Sequence, residues 1–145
     1  MTITLTNGGT TLLLPPDLIW ADELTWSAVA QSTERGIFGT LIIDAMARNG
    51  GRPITLQGDG DSAWIDRGTL RTLGAWAQTP GLRMALDVRG EVFSVVFDHG
   101  PEEETRAIAM SAVIDYSDKQ DGDYYCGLVL RFIEEGENLE QFSRE

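Results

Sequence analysis

His99 is the residue of this chain best suited to general acid–base chemistry, because it is the only histidine among 145 residues. It lies in the sequence Asp98-His99-Gly100-Pro101, which is typical of a turn after a strand. A hydrolase would need a Ser or Cys nucleophile within hydrogen-bond reach of the imidazole, and no Gly-x-Ser-x-Gly sequence supplies one. We therefore predict no catalytic residues and no enzyme activity, and keep a hydrolase with an unrecognised site as a third hypothesis.

Two groups of aspartates have the ligand type that calcium prefers. Asp59 and Asp61 flank Gly60, and a second loop holds four more: Asp115, Asp118, Asp121 and Asp123. Calcium loops place carboxylates at alternate positions and close with a distant glutamate, whereas the second group has three-residue spacing and no closing Glu. We interpret both groups as solvated turns, predict no metal site and no cofactor, and leave cation binding by the acidic loops open.

The overall charge excludes several classes of partner. The chain has 23 acidic and 11 basic side chains, a formal net charge of −12. Such a surface repels the DNA backbone and anionic lipid, so we expect no sequence-specific nucleic-acid binding.

No apolar run approaches the ~20 residues of a membrane span, and the first residues lack a signal-peptide layout. The single cysteine, Cys126, falls on an apolar strand face and is interpreted as a buried hydrophobe.

The elements that must position these residues are strands, because apolar residues recur at every second position. The sharpest hairpin turns at Arg89-Gly90 and has three facing pairs: Leu86–Phe93, Met84–Val95 and Leu82–Phe97. A type I′ turn requires positive φ at its first position, which disfavours Arg there. A bulged or longer turn is therefore the alternative.

Two further hairpins follow the same pattern. The N-terminal one turns at Gly8-Gly9, with the pairs Ile3–Leu14 and Leu5–Leu12. The C-terminal one joins 108–116 to 124–132 through a polar loop, with the pairs Ile114–Cys126, Met110–Leu130 and Ile108–Phe132. Both pairings place apolar side chains opposite apolar side chains.

The remaining segments complete a mainly β fold. Residues 33–36 predict a turn, and residues 40–47, rich in Leu and Ile, predict a buried strand. Residues 66–78 predict one helix, capped by Asp66 and stopped at Pro80, with Trp76 covering one end of the core. We predict an antiparallel β-sandwich or barrel built from hairpins with one flanking α-helix, a single domain over 1–133, and an acidic tail over 134–145.

The order of the apolar, Gly and Arg positions along the chain resembles that of a known family. The segments that carry the resemblance are Arg52-Pro53-Ile54-Thr55-Leu56, Asp61-x-x-Trp64-Ile65-Asp66-Arg67, the 70–76 helix, Gly90/Phe93/Val95/Phe97, and Tyr124/Leu128/Leu130/Arg131/Phe132. They resemble small distal-tail or baseplate ring proteins of long-tailed bacteriophages and prophages. The resemblance implies a structural protein of the virion tail, made in the host cytoplasm, that forms a homo-oligomeric ring between tail-tube and hub proteins. An acidic lumen in that ring would let DNA slide through.

Large apolar side chains outside the aligned hairpins are the candidate assembly contacts: Trp20, Trp26, Leu139 and Phe142. The alternative function is a small monomeric bacterial β-barrel module that holds an apolar or cationic ligand in its mouth. The oligomeric state distinguishes the two, because a stable oligomer favours the tail subunit and a persistent monomer favours the binding module.

Overall fold

The computed structural model describes residues 2–47, 50–102, 106–114 and 116–135. Its elements in chain order are β1 (Ile3–Asn7), β2 (Thr10–Leu14), β3 (Ile19–Trp20), β4 (Val29–Arg35), β5 (Leu41–Ala47), β6 (Arg52–Gln57), β7 (Ile65–Asp66), α1 (Arg67–Ala77), β8 (Met84–Val88), β9 (Glu91–Phe97), β10 (Ile108–Ala112) and β11 (Tyr124–Glu134). The fold class is mainly antiparallel β with one helix in the described part of the chain, as the apolar alternation predicted.

Nine of these strands form one sheet with β11 at its centre. The main path runs β2-β1-β8-β9-β11-β6-β3. β11 has 11 residues, enough to pair with β7 and β6 along one edge and with β10 and β9 along the other. The other two strands, β4 and β5, pair with each other and with no further strand among the described residues.

One apolar core joins the large sheet to α1. The helix contributes Leu70, Leu73 and Trp76, which are buried as its spacing predicted. The sheet contributes the fully buried side chains Ile3, Leu5, Leu14, Ile54, Leu56, Leu86, Val95, Leu128, Leu130 and Phe132. Each such side chain stabilises the fold by about 1.5–3 kcal/mol relative to exposure, and β11 contributes three of them, Leu128, Leu130 and Phe132.

Two of the three predicted hairpins are confirmed. β1 and β2 pair as Ile3↔Leu14 and Leu5↔Leu12 across Gly8-Gly9. β8 and β9 pair as Met84↔Val95 and Leu86↔Phe93, and this ladder begins at Met84, so Leu82 lies before it.

The turn between β8 and β9 has two residues, and both have positive φ, +52° at Arg89 and +101° at Gly90. Hydrogen bonds from the Arg89 guanidinium offset the cost of the positive φ of this residue. Its Nη2 donates to the carbonyl oxygens of Pro16 (3.2 Å) and Leu18 (2.7 Å). The arginine therefore ties the hairpin to the segment before β3, which explains its place in a type I′-like turn.

The register predicted for the C-terminal hairpin is wrong. Ile108 pairs with Leu130 rather than Phe132, and Cys126 pairs with Ser111 rather than Ile114. At Phe132, β11 is already paired on both edges, with Ile54 of β6 on one side and Phe97 of β9 on the other. A one-residue shift between Ala109 and Ser111, opposite Gly127 with φ +63°, sets the remaining pairs. β10 ends at Ala112, so the predicted inward faces of Ile114 and Tyr116 are exposed.

Asp66 caps α1 as predicted. Its carboxylate accepts hydrogen bonds from the Thr69 amide (3.0 Å) and the Thr69 hydroxyl (2.8 Å). Burial alone raises the pKa of Asp66, but these hydrogen bonds, together with those from the backbone amides of Asp66 and Gly68, outweigh it and hold the pKa below its ordinary value. The cap is therefore more stable with the carboxylate ionised.

Residues 29–47 differ most from the prediction. The turn predicted over 33–36 is wrong, because Thr33, Glu34 and Arg35 are still in β4. The strand predicted over 40–47 exists as β5, but every one of its residues is exposed rather than buried. Apolar content predicts burial only where a second layer covers the strand, and β5 pairs with β4 outside the large sheet.

Candidate functional site

The first candidate surface is the arm, which comprises β4, the turn 36–40 and β5. Seven consecutive pairs join its strands, from Val29↔Ala47 to Arg35↔Leu41. At the far end the Gly36 amide donates to the Thr40 carbonyl (2.7 Å), and Arg35 Nη1 donates to the Gly39 carbonyl (3.1 Å). Gly39 has φ +84°, a conformation that glycine adopts without strain. These bonds give the turn a defined shape.

The arm carries apolar side chains in positions where turns and exposed strands are normally polar. Ile37 and Phe38 at the tip are 97% and 96% exposed. Exposed apolar side chains also follow the strands: Val29, Leu41, Ile42, Ile43 and Met46. Seven residues at ~3.4 Å each make a ribbon about 24 Å long. Isolated two-stranded hairpins are marginally stable in water, and large exposed apolar patches mark interaction sites. The arm therefore has the composition of a docking element.

A second apolar surface, the aromatic cleft, lies where β11 begins. It is an open cleft of about 340 Å³ lined mainly by Trp64, Val113, Ile114, Tyr116 and Tyr124. The rings of Trp64 and Tyr124 form one wall, with centroids 5.8 Å apart. The indole Nε1 of Trp64 donates to the Asp61 carbonyl (2.9 Å), which fixes the ring at the surface.

The loop 58–63 sets the position of Trp64. The Gly58 amide donates to the Leu128 carbonyl (2.9 Å), and the Gly127 amide donates to the Ser62 carbonyl (2.8 Å). A Cβ atom on Gly58 would collide with the Cβ of Ala63, so the loop closes only with glycine there. Ala63 is fully buried with φ +56°, and this anchors the residue before the cleft tryptophan.

Of the predicted assembly contacts, Trp20 is held within its own chain. Its ring packs edge-on against Phe93, with centroids 5.3 Å apart, and the Arg52 guanidinium lies 4.8 Å from its ring centroid. Arg52 Nη2 also donates to the Glu23 carbonyl (3.0 Å). Trp20 is thus half-buried beside the core, which leaves only part of the ring for another molecule.

Trp26 is half-buried in the segment between β3 and β4, next to the root of the arm. Leu139 and Phe142 lie outside the described residues. The role of these side chains in assembly stays a prediction.

The residues considered for catalysis and metal binding do not converge in the part of the chain that the structure covers. His99 is exposed, and its ring lies 6.2 Å from that of Phe97. Over the described ranges, no group of three or more His, Cys, Asp and Glu side chains is arranged to hold a metal ion. The Cys126 thiol is half-buried and donates to the Gly60 carbonyl (3.2 Å). Within these ranges, no helix is both long enough and apolar enough to cross a membrane.

Comparison with known proteins adds no family assignment. No protein-family model matches the chain, and no curated protein matches it. The arm and the aromatic cleft are therefore characterised by their geometry alone.

Sequence reasoning missed both surfaces, although one signal pointed to the arm. The tetrapeptide Gly36-Ile37-Phe38-Gly39 places two large apolar residues between glycines. Turns are normally rich in Gly, Pro, Asn, Asp and Ser, so apolar residues in a glycine-flanked turn are unfavourable in water unless something covers them. No comparable signal predicts the cleft, because it is assembled from residues about 60 positions apart, Trp64 and Tyr124.

Proposed function

We propose that this chain is a non-enzymatic structural subunit of a bacteriophage tail that assembles into a ring at the tail tip, between tail tube and hub. The observation that carries the proposal is the arm, whose tip residues are 97% and 96% exposed. A ribbon with apolar side chains along its length gains stability when another molecule covers it. In a virion ring, neighbouring copies supply that cover.

The fold supports the same function. The resemblance to distal-tail and baseplate ring proteins implies an antiparallel β domain with one flanking helix, and this is the fold class observed. The tightly packed sheet around β11 makes a rigid block from which the arm extends. A rigid block with a projecting contact element suits an assembly subunit.

The charge of the chain suits a channel for DNA. Each copy carries a formal charge of −12, and a ring multiplies that charge around its opening. An acidic lumen repels phosphates and lets the duplex pass without binding. The ring would function in the virion tail after synthesis in the host cytoplasm.

Analytical ultracentrifugation over a wide concentration range, followed by negative-stain electron microscopy, tests the proposal. We expect an oligomer with a central opening, and genes for tail-tube, tape-measure and hub proteins beside the gene for this chain. A monomer at every concentration, with no tail genes nearby, would rule out the tail-subunit function.

One observation favours the alternative of a monomeric binding module. An open cleft of about 360 Å³ is lined by Asp17, Trp20, Glu23, Arg89 and Glu91, among others. Its three carboxylates and one indole suit a cationic ligand, whereas the Arg89 guanidinium opposes one, and the Asp17 carboxylate already accepts from the Ala63 amide (3.0 Å). However, Arg52 already lies over the Trp20 ring, so a ligand would have to displace a side chain of the protein. A monomer whose melting temperature rises with small organic cations would favour this function over the tail subunit.

A further inference from the structure

We infer that the arm tip of one copy, Ile37 and Phe38, inserts into the aromatic cleft of a second copy of the same chain. This inference deepens the proposed function and rests on it. It identifies the arm tip and the aromatic cleft as the two surfaces that meet where one ring subunit contacts the next.

The two surfaces lie near opposite ends of β11. The root of the arm is at the last residues of that strand, because Gly51, shortly after β5, donates its amide to the Glu134 carbonyl (2.8 Å). The cleft is at the first residue, Tyr124. A strand of 11 residues spans about 36 Å at ~3.3 Å per residue. The tip is almost wholly exposed, so it does not occupy the cleft of its own copy.

A protruding patch and a complementary pocket at different places on one molecule define a head-to-tail contact. Such a contact repeats from copy to copy and closes into a ring when the rotation between neighbours permits. A two-fold contact, by comparison, would stop at a dimer. The positions of the arm and the cleft therefore fit the cyclic assembly that the proposed function requires.

The cleft suits the tip in size and chemistry. Its volume of about 340 Å³ falls within the ~300–1,000 Å³ of pockets that enclose small molecules, which is ample for two side chains. The exposed faces of Trp64 and Tyr124 offer rings against which Phe38 can pack edge-on or offset. Aromatic residues that fill a desolvated pocket are the usual energetic centres of protein interfaces.

The charges on the two sides are complementary at the rim. Arg35 is the only basic residue of the arm and lies directly before the tip; Glu34 precedes it on the opposite face of β4. The loop beside the cleft contains Asp118, Lys119, Asp121 and Asp123. Asp121 already pairs with Arg71 (3.5 Å), so Asp118 and Asp123 are the carboxylates that would meet Arg35. Because two copies with a charge of −12 repel each other overall, their contact needs an apolar centre and local pairing of opposite charges. Tip, cleft and Arg35 together meet both requirements.

Two variants test the inference, one on each side of the contact. Phe38→Asp disables the tip and leaves the cleft intact, whereas Ile114→Asp disables the cleft and leaves the tip intact. Both residues are exposed in the single copy, so neither change should unfold it, and circular dichroism with thermal melting checks this. Leu13→Asp is the matched control, because Leu13 is an exposed apolar residue of β2, the edge strand of the large sheet, and its cross-strand partner is the uncharged Thr4.

Each variant alone should raise the concentration needed for half-assembly by at least ~30-fold, as expected for loss of an aromatic or apolar anchor. The control should assemble like the natural chain. The decisive sample is an equimolar mixture of the two variants, at concentrations well above the natural assembly range. The Ile114→Asp copy supplies an intact tip and the Phe38→Asp copy an intact cleft. The mixture should therefore form a heterodimer of twice the 15.9 kDa chain mass and nothing larger.

The outcomes separate this inference from the proposed function. If the natural chain assembles but either variant assembles equally well, or the mixture forms no heterodimer, the tip-in-cleft contact is wrong and the ring subunit stands. If the natural chain stays monomeric at all concentrations, both the ring and the contact within it are wrong.

Discussion

The arm and the N-terminal hairpin both contain strands rich in Leu and Ile, but their environments are opposite. β1 alternates Ile3 and Leu5 with Thr, and its pairs with β2, Ile3↔Leu14 and Leu5↔Leu12, lie against the core. β5 contains Leu41, Ile42 and Ile43, and all are exposed. The difference lies in the neighbours: β1 also pairs with β8 and joins the large sheet, whereas β5 pairs with β4 outside it. Apolar strands thus stabilise the single copy in one place and remain available for assembly in the other.

Hydrogen exchange should show the largest difference between these regions. We expect amides of β11 to exchange only through global unfolding, with protection equivalent to roughly 5–15 kcal/mol. Amides of the arm should exchange through local opening at close to zero cost, because few neighbours hold its ribbon in the single copy. Mass spectrometry of peptides from both regions under dilute conditions measures this. Equal protection would mean that the body of the same copy, defined as the large sheet with α1, stabilises the arm.

Replacing a phenylalanine in each region should also give opposite results. Phe132 is fully buried and stacks on Phe97 with centroids 5.0 Å apart, so Phe132→Ala should lower the unfolding free energy by about 3–5 kcal/mol. Phe38→Ala removes an exposed ring and should change the unfolding free energy of the single copy by less than ~0.5 kcal/mol. Urea denaturation of both variants at low concentration compares them. A cost above 1–2 kcal/mol for Phe38→Ala would contradict the exposed position of the tip.

The loop that shapes the cleft belongs to the body and should be sensitive to small changes. Gly58→Ala places a Cβ against the Cβ of the buried Ala63, and overpacking of this kind costs about 1–3 kcal/mol. Gly60→Ala is the matched control in the same loop, because nothing lies within 4 Å of an added Cβ there. Thermal melting of the two variants measures the difference. Equal melting temperatures would show that the loop relaxes and that Ala63 does not constrain the cleft.

The same comparison explains how much the sequence could predict. Alternation predicted the pairs of β1–β2 and β8–β9 because each hairpin has a two-residue turn, which leaves one register for apolar faces. It failed for β10 and β11, since their long connection allows several registers. There the choice depends on β6 and β9, which already pair with Phe132. A local sequence pattern does not show which other strands will lie beside a hairpin, so it could not predict this register.

Burial and surface shape were harder to predict than strands. The apolar residues of 40–47 predicted β5 correctly, but not that it would lie outside the large sheet. The cleft arises from Trp64, Ile114 and Tyr124, which come from three separate segments. Its formation requires the tertiary contacts of Gly58 and Gly127. The candidate assembly surfaces therefore emerge only when the body is folded.

The helix cap offers the smallest and most selective perturbation of the body. Asp66→Asn keeps an oxygen for the Thr69 amide but removes the charge, so at neutral pH it should cost up to about 1 kcal/mol. The pKa of Asp66 is lowered in the folded chain, so its ionised form contributes stability above the pKa of the unfolded chain, about 3.9. That contribution is lost as the pH falls through the lower, folded pKa.

The difference in unfolding free energy between Asp66→Asn and the natural chain should therefore be constant near neutral pH and shrink in acid below about pH 4. Thr72→Ala is the control one turn further along α1, because the Thr72 hydroxyl donates to the Gly68 carbonyl (3.3 Å) rather than to a carboxylate. Its effect should not vary over the same pH range. Urea titrations at several pH values measure both variants. A difference for Asp66→Asn that persists unchanged in acid would show that the cap works through hydrogen-bond geometry alone, and that the charge of Asp66 contributes nothing to the body.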